Sequence, residues 1–244
     1  MAAHTSKPLR RMRWQCWRLA LILSIGGLWP RPGAAPVDEG QEIARVVPVI
    51  AALRAATKAP LSIDTMKPSV AMAAMQAGAS IWNDVAALQA PGALETAAGM
   101  RRPVILMHMQ GEPRTMQNDP HYDDVVAEVI AFLKVRVRAA EAKGLEDIRV
   151  DPGIGFGKTL EHNLALLNNV GRIREETGRP VVIGASRKRF IAAIDERAKD
   201  AGRDRLGGSV AAALIAAQNG ADMVRVHDVA ETVQALKVWR ATQR

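Results

Sequence analysis

The chain has 244 residues, an ordinary length for one large α/β domain, since α/β barrels run to about 250 residues. Hydrophobic residues make up 48% of the chain but aromatic residues only 4%, so the core has to be aliphatic, as in buried parallel strands covered by helices. The net charge of +8 is concentrated in residues 1–37, which hold six Lys or Arg and no acid; this excludes a basic nucleic-acid-binding face spread over the folded domain.

The basic N-terminal segment, residues 1–18, is set apart from a predicted domain over residues 19–244. Its charges precede the largely apolar stretch Trp17–Leu28, so a cleaved secretory signal is one interpretation. No apolar run reaches the roughly 18 residues that a membrane span needs. A single cysteine, Cys16, excludes an internal disulfide and favours the cytoplasm. We therefore expect a cytoplasmic protein with neither a membrane nor a nucleic acid as partner.

From residue 38 onward, short apolar runs alternate with helical patterns, which is typical of βαβ units and a parallel sheet. The predicted strands are Leu19–Ile25, Leu61–Asp64, Ser80–Asn83, Val104–His108, Ile148–Asp151, Val181–Ala185 and Met223–Val226. The predicted helices are Gln41–Thr57, Ser69–Gln76, Tyr122–Lys143, Leu160–Thr177, Leu206–Asn219 and Ala230–Thr242. Seven strands fit either a barrel that lacks its first strand or an open doubly wound sheet.

Polar side chains gather where the predicted strands end, and in a parallel barrel the loops after those ends build the active site. They are Asp64, Asn83, Asp84, His108, Asp151, Ser186, Arg187, Lys188, Arg225 and His227. Carboxylates and an amide can pair with the edge of a planar heterocycle, while Arg and Lys suit a phosphate. The residue types therefore predict a site for a heterocycle at one end and an anion at the other.

Each of these residues also has a purely structural interpretation. Asp64 and Asp84 are suited to capping the helices that follow them. The run Asp151–Gly153 is a typical turn, and the glycine-rich stretch that it opens lacks a Gly-Lys-Ser/Thr ending at the spacing that a P-loop requires. His108, flanked by two methionines, is better suited to packing than to metal binding, and no cluster has convincing zinc spacing.

Taken in order, the motifs resemble the dihydropteroate synthase family, and the resemblance extends from Arg31 to Arg240. The residues that carry it are Ser62–Pro68, Trp82–Asp84, Leu106–Gly111, Pro113–Gln117, Asp151–Lys158, Gly184–Lys188 and Arg225–Val229. The resemblance implies a TIM-type (β/α)8 barrel. It also implies synthesis of 7,8-dihydropteroate from 6-hydroxymethyl-7,8-dihydropterin pyrophosphate and 4-aminobenzoate, in folate biosynthesis, with sulfonamides competing for the aminobenzoate site.

The resemblance also implies a role for particular residues. The pterin site would comprise Asp64, Asn83, Met107, Asp151, Phe156, Gly184 and Lys188, of which Asp64, Asp151 and Lys188 would be catalytic. Pyrophosphate would bind Arg31, Arg225 and His227, and 4-aminobenzoate would bind Pro32 and Ser186. Mg²⁺ would assist the departing anion as cofactor. The family is commonly dimeric, and Leu206–Asn219 with the final helix would suit a homodimer interface.

The N-terminal part departs from the family pattern. The family's first strand and its Asn-bearing loop have no counterpart, so we expect no protein ligand for the metal, and Ser24 stands where the family has Asp. A shifted reading frame over Arg11–Leu21 permits a family-like sequence, which indicates a truncation or frameshift. Two other interpretations stay open: a catalytically impaired remnant that retains at most partial pterin binding, and a pterin-dependent methyltransferase.

Overall fold

Strands and helices alternate along the whole of the computed structural model, which describes residues 23–26, 37–112, 115–199 and 205–243. The strands within these ranges are β1 (Leu23–Gly26), β2 (Leu61–Asp64), β3 (Ile81–Asp84), β4 (Val104–Met107), β5 (Ile148–Asp151), β6 (Val182–Ile183) and β7 (Met223–Val224). The helices are α1 (Glu39–Ala56), α2 (Pro68–Gln76), α3 (Ala93–Met100), α4 (Val125–Ala142), α5 (Leu160–Asn168), α6 (Val170–Thr177), α7 (Arg189–Ile194), α8 (Leu206–Gln218) and α9 (Val229–Ala241). A short 3₁₀ turn, Glu196–Ala198, follows α7.

Every strand ladder among the described residues is parallel. Strands β1 to β5 pair in chain order, and β6 pairs with β7. A parallel bridge between Val150 and Val181 joins the two sets beside β5 and β6. All carboxyl ends therefore point the same way, so the residues that follow the strands meet at one face.

The sheet closes on itself, because a side chain that follows β7 reaches the end of β2. Arg225 Nη1 lies 3.5 Å from Asp64 Oδ2. In a flat sheet these two strands would be five spacings apart, roughly 24 Å, far beyond the reach of one side chain. The contact therefore confirms the predicted TIM-type barrel, and the open doubly wound alternative is wrong.

The aliphatic composition forms two apolar regions. A large cluster of buried Val, Ile, Leu and Ala fills the space between the strands and the surrounding helices. A smaller cluster of Ile81, Ile105 and Val182, with Met223 packed against it, lies inside the barrel. The interior below the strand ends is thus closed by side chains, which leaves the carboxyl-end face as the place for a site.

Several helices begin at side-chain caps. Asp38 accepts from the backbone N–H groups of the first turn of α1, and Asp124 does the same for α4. Thr159 and His162 form a capping box at the start of α5. Such caps satisfy backbone donors that the helix itself leaves unpaired, and they fix where each helix leaves the barrel rim.

The predicted strands and helices are confirmed where they fall on described residues, with shifts of a few residues at their ends. One prediction is wrong: Leu160–Thr177 is not a single helix but two, separated at Asn169. The Asn169 amide donates to the carbonyl of Ala165, and such local side-chain bonds compete with helix continuation. Helices α3 and α7, which are short, were not predicted.

The predictions for the N-terminal part cannot all be compared with the structure. Residues 1–22 and 27–36 lie outside the described residues, and with them the segment 1–18 and the predicted absence of a first strand. Of the predicted strand Leu19–Ile25, the last three residues lie in β1. Within the described ranges, none of the helices is long and apolar enough to cross a membrane.

Candidate active site

The predicted pterin residues meet at the carboxyl-end face of the barrel. The pairing register places Asp64 beside Asn83, at the ends of β2 and β3, and Met107 beside Asp151, at the ends of β4 and β5. All four side chains are at least nine-tenths buried. Four neighbouring strands thus contribute one residue each to a single layer.

Arg225 joins the two carboxylates of this layer. Its Nη2 donates to Asp151 Oδ2 at 3.0 Å, and its Nη1 lies 3.5 Å from Asp64 Oδ2. Burial raises the pKa of Asp64, and the Arg225 charge opposes that shift. Gly184 leaves room for the guanidinium, since a Cβ at that position would lie 3.1 Å from Arg225 Nη2. Arg225 and Gly184 are therefore brought into the site that the sequence predicted.

The Asn83 amide is buried and has no hydrogen-bond partner for either its oxygen or its nitrogen. It lies close enough to Asp64 to lower the pKa of that carboxyl, but without a hydrogen bond of ordinary geometry. Buried polar groups of this kind are almost always satisfied, so an unpartnered amide in a pocket points to a ligand. An amide beside a carboxylate can donate and accept along one edge of a heterocycle.

Ser24 occupies part of the space beside Asp64. Its hydroxyl donates to Asp64 Oδ1 at 3.1 Å, and this hydrogen bond lowers the pKa of the carboxyl. The residue that departs from the family pattern is therefore in direct contact with a predicted catalytic residue.

The loop after β5 holds Asp151 in place and depends on glycine. Gly153 N donates to Asp151 Oδ1 at 2.8 Å. Gly153 has φ +72°, and a Cβ there would lie 1.9 Å from the carbonyl oxygen of His108. The run that the sequence predicts to be a turn is a turn, and its backbone also fixes the carboxylate of Asp151.

Lys188 lies over the ring of Phe156, with its Nζ 3.8 Å from the ring centroid, within the range of a cation–π contact. Burial and the neighbouring Arg225 charge lower the pKa of Lys188 to about 7, although two carboxylates act in the opposite direction. A lysine of this kind changes its charge near neutral pH. The aromatic ring and the cation together form one wall of the candidate heterocycle pocket.

Ser186 and His227 form the outer part of the site. Ser186 Oγ lies 3.0 Å from His227 Nδ1 and accepts from the His227 backbone N–H at 3.2 Å. Burial, followed by the nearby Arg187 charge, lowers the pKa of His227. Arg187 is held by a two-bond ion pair with Asp228, so it is a fixed neighbour of this outer part.

The structure separates the predicted site residues from the structural ones. Asp84 accepts from the backbone N–H groups of Ala86 and Leu88 in the turn after β3, so its role is structural. The predicted helix cap is wrong, because the next helix begins only at Ala93 and has Gly92 at its N-cap. Asp64 caps no described helix and belongs to the site. Arg31 and Pro32 lie outside the described residues, and their predicted roles stay predictions.

Sequence reasoning gave no role to Lys158 and read His108 as packing. His108 does pack edge-on against Phe132, but its Nδ1 also lies 3.0 Å from Lys158 Nζ. Lys158 is 3% exposed. The only sequence signal is a lysine that closes the glycine-rich run after β5, and its partner lies 50 residues away.

Comparisons with known proteins agree with this geometry. The pterin binding enzyme family matches residues 7–227. The dihydropteroate synthase of Haemophilus influenzae is 46% identical over 225 residues, which cover 91% of this chain and 80% of that protein. The dihydropteroate synthase structure from Stenotrophomonas maltophilia is 51% identical, with a TM-score of 0.85, covering 91% of this chain and 82% of that one.

A further solved structure carries a ligand of direct interest. It is dihydropteroate synthase from Xanthomonas albilineans in complex with 7,8-dihydropteroate, 49% identical, with a TM-score of 0.82, covering 91% of this chain and 81% of that chain. With a closed parallel barrel, a buried carboxylate–amide layer and these relatives, the chain belongs to the dihydropteroate synthase family of pterin binding enzymes.

Proposed function

We propose that this chain condenses 6-hydroxymethyl-7,8-dihydropterin pyrophosphate with 4-aminobenzoate, giving 7,8-dihydropteroate and pyrophosphate in folate biosynthesis. The observation that carries the proposal is the buried layer of Asp64, Asn83 and Asp151 with an amide that has no protein partner. The complex of the Xanthomonas albilineans relative with 7,8-dihydropteroate supports the same ligand class.

The pterin fits the inner layer by its hydrogen-bonding edge. An amino-pyrimidinone edge presents parallel N–H donors that a carboxylate can take as a pair, and Asp64 and Asp151 both lie in this layer. Asn83 supplies one donor and one acceptor in the same pocket. The Phe156 ring and the Lys188 ammonium would close the pocket from one side.

The proposed reaction breaks the bond between the pterin methylene carbon and the pyrophosphate oxygen, whose electron pair leaves with the anion. Positive charge develops on the pterin and is stabilised by the two buried carboxylates. The lone pair of the aminobenzoate nitrogen then forms the new C–N bond, and that nitrogen loses a proton. Arg225 and His227 lie where they would receive the departing anion.

Ser186 is proposed to bind 4-aminobenzoate at the outer part of the site. Its hydroxyl already contacts His227, so aromatic amine and pyrophosphate would bind side by side. Sulfonamides resemble 4-aminobenzoate, and we expect them to compete for this position. Arg31 and Pro32 complete the proposal from outside the described residues.

Mg²⁺ enters the proposal as an ion that arrives with the pyrophosphate. Within the described ranges, no three His, Cys, Asp or Glu side chains are grouped so that they could hold a metal ion. The two central carboxylates already face Arg225. The described residues therefore do not fit a protein-held cation.

A homodimer is also part of the proposal. Helices α8 and α9 expose Ile215 and Val238, which are 41% and 62% exposed. Sedimentation of the purified chain tests this directly, and a monomer at micromolar concentration would contradict it.

Formation of 7,8-dihydropteroate by the purified chain, with both substrates and Mg²⁺ supplied, tests the proposed activity. We expect turnover that disappears in Asp151→Asn and in Lys188→Ala. Calorimetric binding of the pterin pyrophosphate is measured in parallel. Binding without turnover would contradict the proposed activity and favour a remnant that retains only the pterin site, and loss of both would contradict pterin recognition as well.

A further inference from the structure

A buried histidine–lysine pair lies directly behind the candidate site. His108 directly follows β4 and is 6% exposed, while Lys158 closes the loop after β5 and is 3% exposed. Lys158 Nζ lies 3.0 Å from His108 Nδ1 and donates to the carbonyl of Phe156 at 2.9 Å. No described carboxylate lies within ion-pair distance of Lys158. Burying a lysine without such a partner is costly, so the arrangement calls for a role.

The pair is arranged so that the lysine donates and the histidine accepts. Burial and the Lys158 charge lower the pKa of His108 to about 3, so the imidazole is neutral at neutral pH. With the proton on its other ring nitrogen, Nδ1 is free to accept from Lys158. The pair therefore works as a directed hydrogen bond and not as a metal ligand.

The lysine is one of three side chains that hold consecutive carbonyl groups of the same loop. Gln117 Nε2 donates to the carbonyl of Gly155 at 2.5 Å, and Tyr122 donates from its hydroxyl to that of Gly157 at 2.9 Å. Lys158 holds the carbonyl between them, which belongs to Phe156. Three side-chain hydrogen bonds thus fix the backbone at Phe156 and at the residue on each side of it.

The position of the Phe156 ring matters because Lys188 packs against it. Lys188 Nζ is 3.8 Å from the ring centroid, and a Cβ at Gly155 would come within 3.0 Å of Lys188 Cδ. The loop therefore contacts Lys158 through the Phe156 carbonyl and Lys188 through the Phe156 ring. A shift of the Phe156 carbonyl would move the Phe156 ring and therefore the surface against which Lys188 packs.

We propose that His108 and Lys158 are positioning residues for the pterin end of this site. The His108–Lys158 hydrogen bond sets the Phe156 carbonyl, and the Phe156 ring then fixes Lys188. The inference rests on the proposed pterin site and deepens it, since it assigns two residues behind the pocket to the orientation of a group inside it.

The charges around the pair give the proposal an electrostatic signature. Burial lowers the pKa of Lys158 to about 7, Asp151 acts against this, and the charge of Lys188 adds to it. His108 and the Tyr122 ring also face Lys158, but both are neutral at that pH. The repulsion between the two lysines is mutual, so removing one charge raises the pKa of the other.

Lys188 has its own charged neighbours, which all stay in place in the variants that test the proposal. Arg225 lowers its pKa, and the carboxylates Asp151 and Asp64 raise it. A rise in the pKa of Lys188 on altering Lys158 therefore reports that the two charges lie close together, while the KM for pterin pyrophosphate reports the position of the loop.

The test uses the full chain labelled with ¹³C at lysine Cε, and Lys188 is titrated by NMR without substrate. In Lys158→Met we expect the pKa of Lys188 to rise relative to the wild type. The KM for pterin pyrophosphate should rise on the order of tenfold or more, because a displaced binding group loses contacts steeply with distance. The matched control is Lys58→Met, which removes an exposed lysine in the loop after α1 and should change neither value. An unchanged Lys188 pKa and KM in folded Lys158→Met would overturn the proposal.

A second pair of variants separates the hydrogen bond from the charge, and it decides the matter even where Lys158→Met does not fold. His108→Asn keeps an acceptor near the place of Nδ1, whereas His108→Leu removes it. We expect the asparagine variant to keep a near-normal KM and the leucine variant to raise it. Equal effects of the two would overturn positioning by this hydrogen bond. The lysine titration needs no turnover, so an inactive wild type would contradict the proposed function and leave this test intact.

Discussion

Arg225 Nη2 donates to Asp151 Oδ2 at 3.0 Å, which ties the residue after the last strand to the end of the fifth. Because Asp151 is 1% exposed, this ion pair has little screening by water. It also holds the guanidinium at the proposed place of the departing anion. We therefore expect the contact to serve both the closure of the barrel and the chemistry of the site.

Replacing the guanidinium with an ammonium tests that geometry. In Arg225→Lys we expect kcat/KM for pterin pyrophosphate to fall on the order of hundredfold, because lysine cannot span two carboxylates and bind an anion as a fork. Steady-state kinetics measures this. Arg138→Lys, at an exposed position on α4, is the matched control and should stay at the wild-type value. Equal kinetics of the two variants would contradict a role for Arg225.

The charge of Lys188 should govern the pH dependence near neutrality. Its pKa is lowered to about 7 by burial and by Arg225, so the ammonium is lost as the pH rises through that value. Since the substrate is an anion, kcat/KM should fall over the same range, and this parameter reports the free enzyme. In Lys188→Arg the charge is permanent, and we expect this limb to disappear. If the fall in kcat/KM with rising pH persists unchanged in Lys188→Arg, it belongs to another titrating group.

Gly184 should be needed for the placement of Arg225. A Cβ there would lie 3.1 Å from Nη2 and 3.2 Å from Nε of that side chain. In Gly184→Ala we therefore expect a fall in kcat/KM on the order of tenfold or more, with little change in the free energy of unfolding. Gly99→Ala is the control, because a Cβ in that helix would meet nothing within 4 Å. It should leave activity unchanged and stabilise the helix by about 0.5–1 kcal/mol.

Gly153 should be the least replaceable glycine of the site loop. It has φ +72°, and a Cβ would lie 1.9 Å from the His108 carbonyl oxygen. Gly153→Ala is expected to cost about 3 kcal/mol or more in the free energy of unfolding, from strain and overpacking together. Gly144→Ala has a similar φ of +81° but open space, so it should cost only about 1–2 kcal/mol. Urea unfolding compares the two, and equal costs would show that the steric clash is relieved.

Asp84 should contribute to the pH dependence of stability. Burial raises its pKa to about 6 from 3.8, so the folded chain holds this proton more tightly than the unfolded chain. Its contribution is fully present below the unfolded pKa and is lost as the pH rises through about 6. The free energy of unfolding of the wild type, relative to Asp84→Asn, should therefore fall by up to about 3 kcal/mol over that range. Denaturant unfolding at several pH values measures it, and a constant difference would contradict the shift.

The sequence alone determined most of the frame. Short runs rich in aliphatic residues predicted the parallel strands, and the bounds of β2 and β5 were predicted without error, because aliphatic residues recur in each run and an aspartate ends it. It also placed Asp64, Asn83 and Asp151 at the carboxyl ends of three of the strands. Local sequence predicts these features because strand pattern and strand end are both local properties.

Only the tertiary structure decided how the residue after the last strand meets the end of β2. The contact between Arg225 and Asp64 spans 161 residues of sequence, and no local pattern encodes it. The same holds for Lys158 and His108, whose closeness depends on how two loops pack. The same is true of Asp84, which lies at a strand end like the site residues but accepts hydrogen bonds from the backbone of the turn that follows it. Closure of the barrel brings distant charges together, and that is why the contacts that close the barrel, the positioning pair and the structural role of Asp84 appear only in three dimensions.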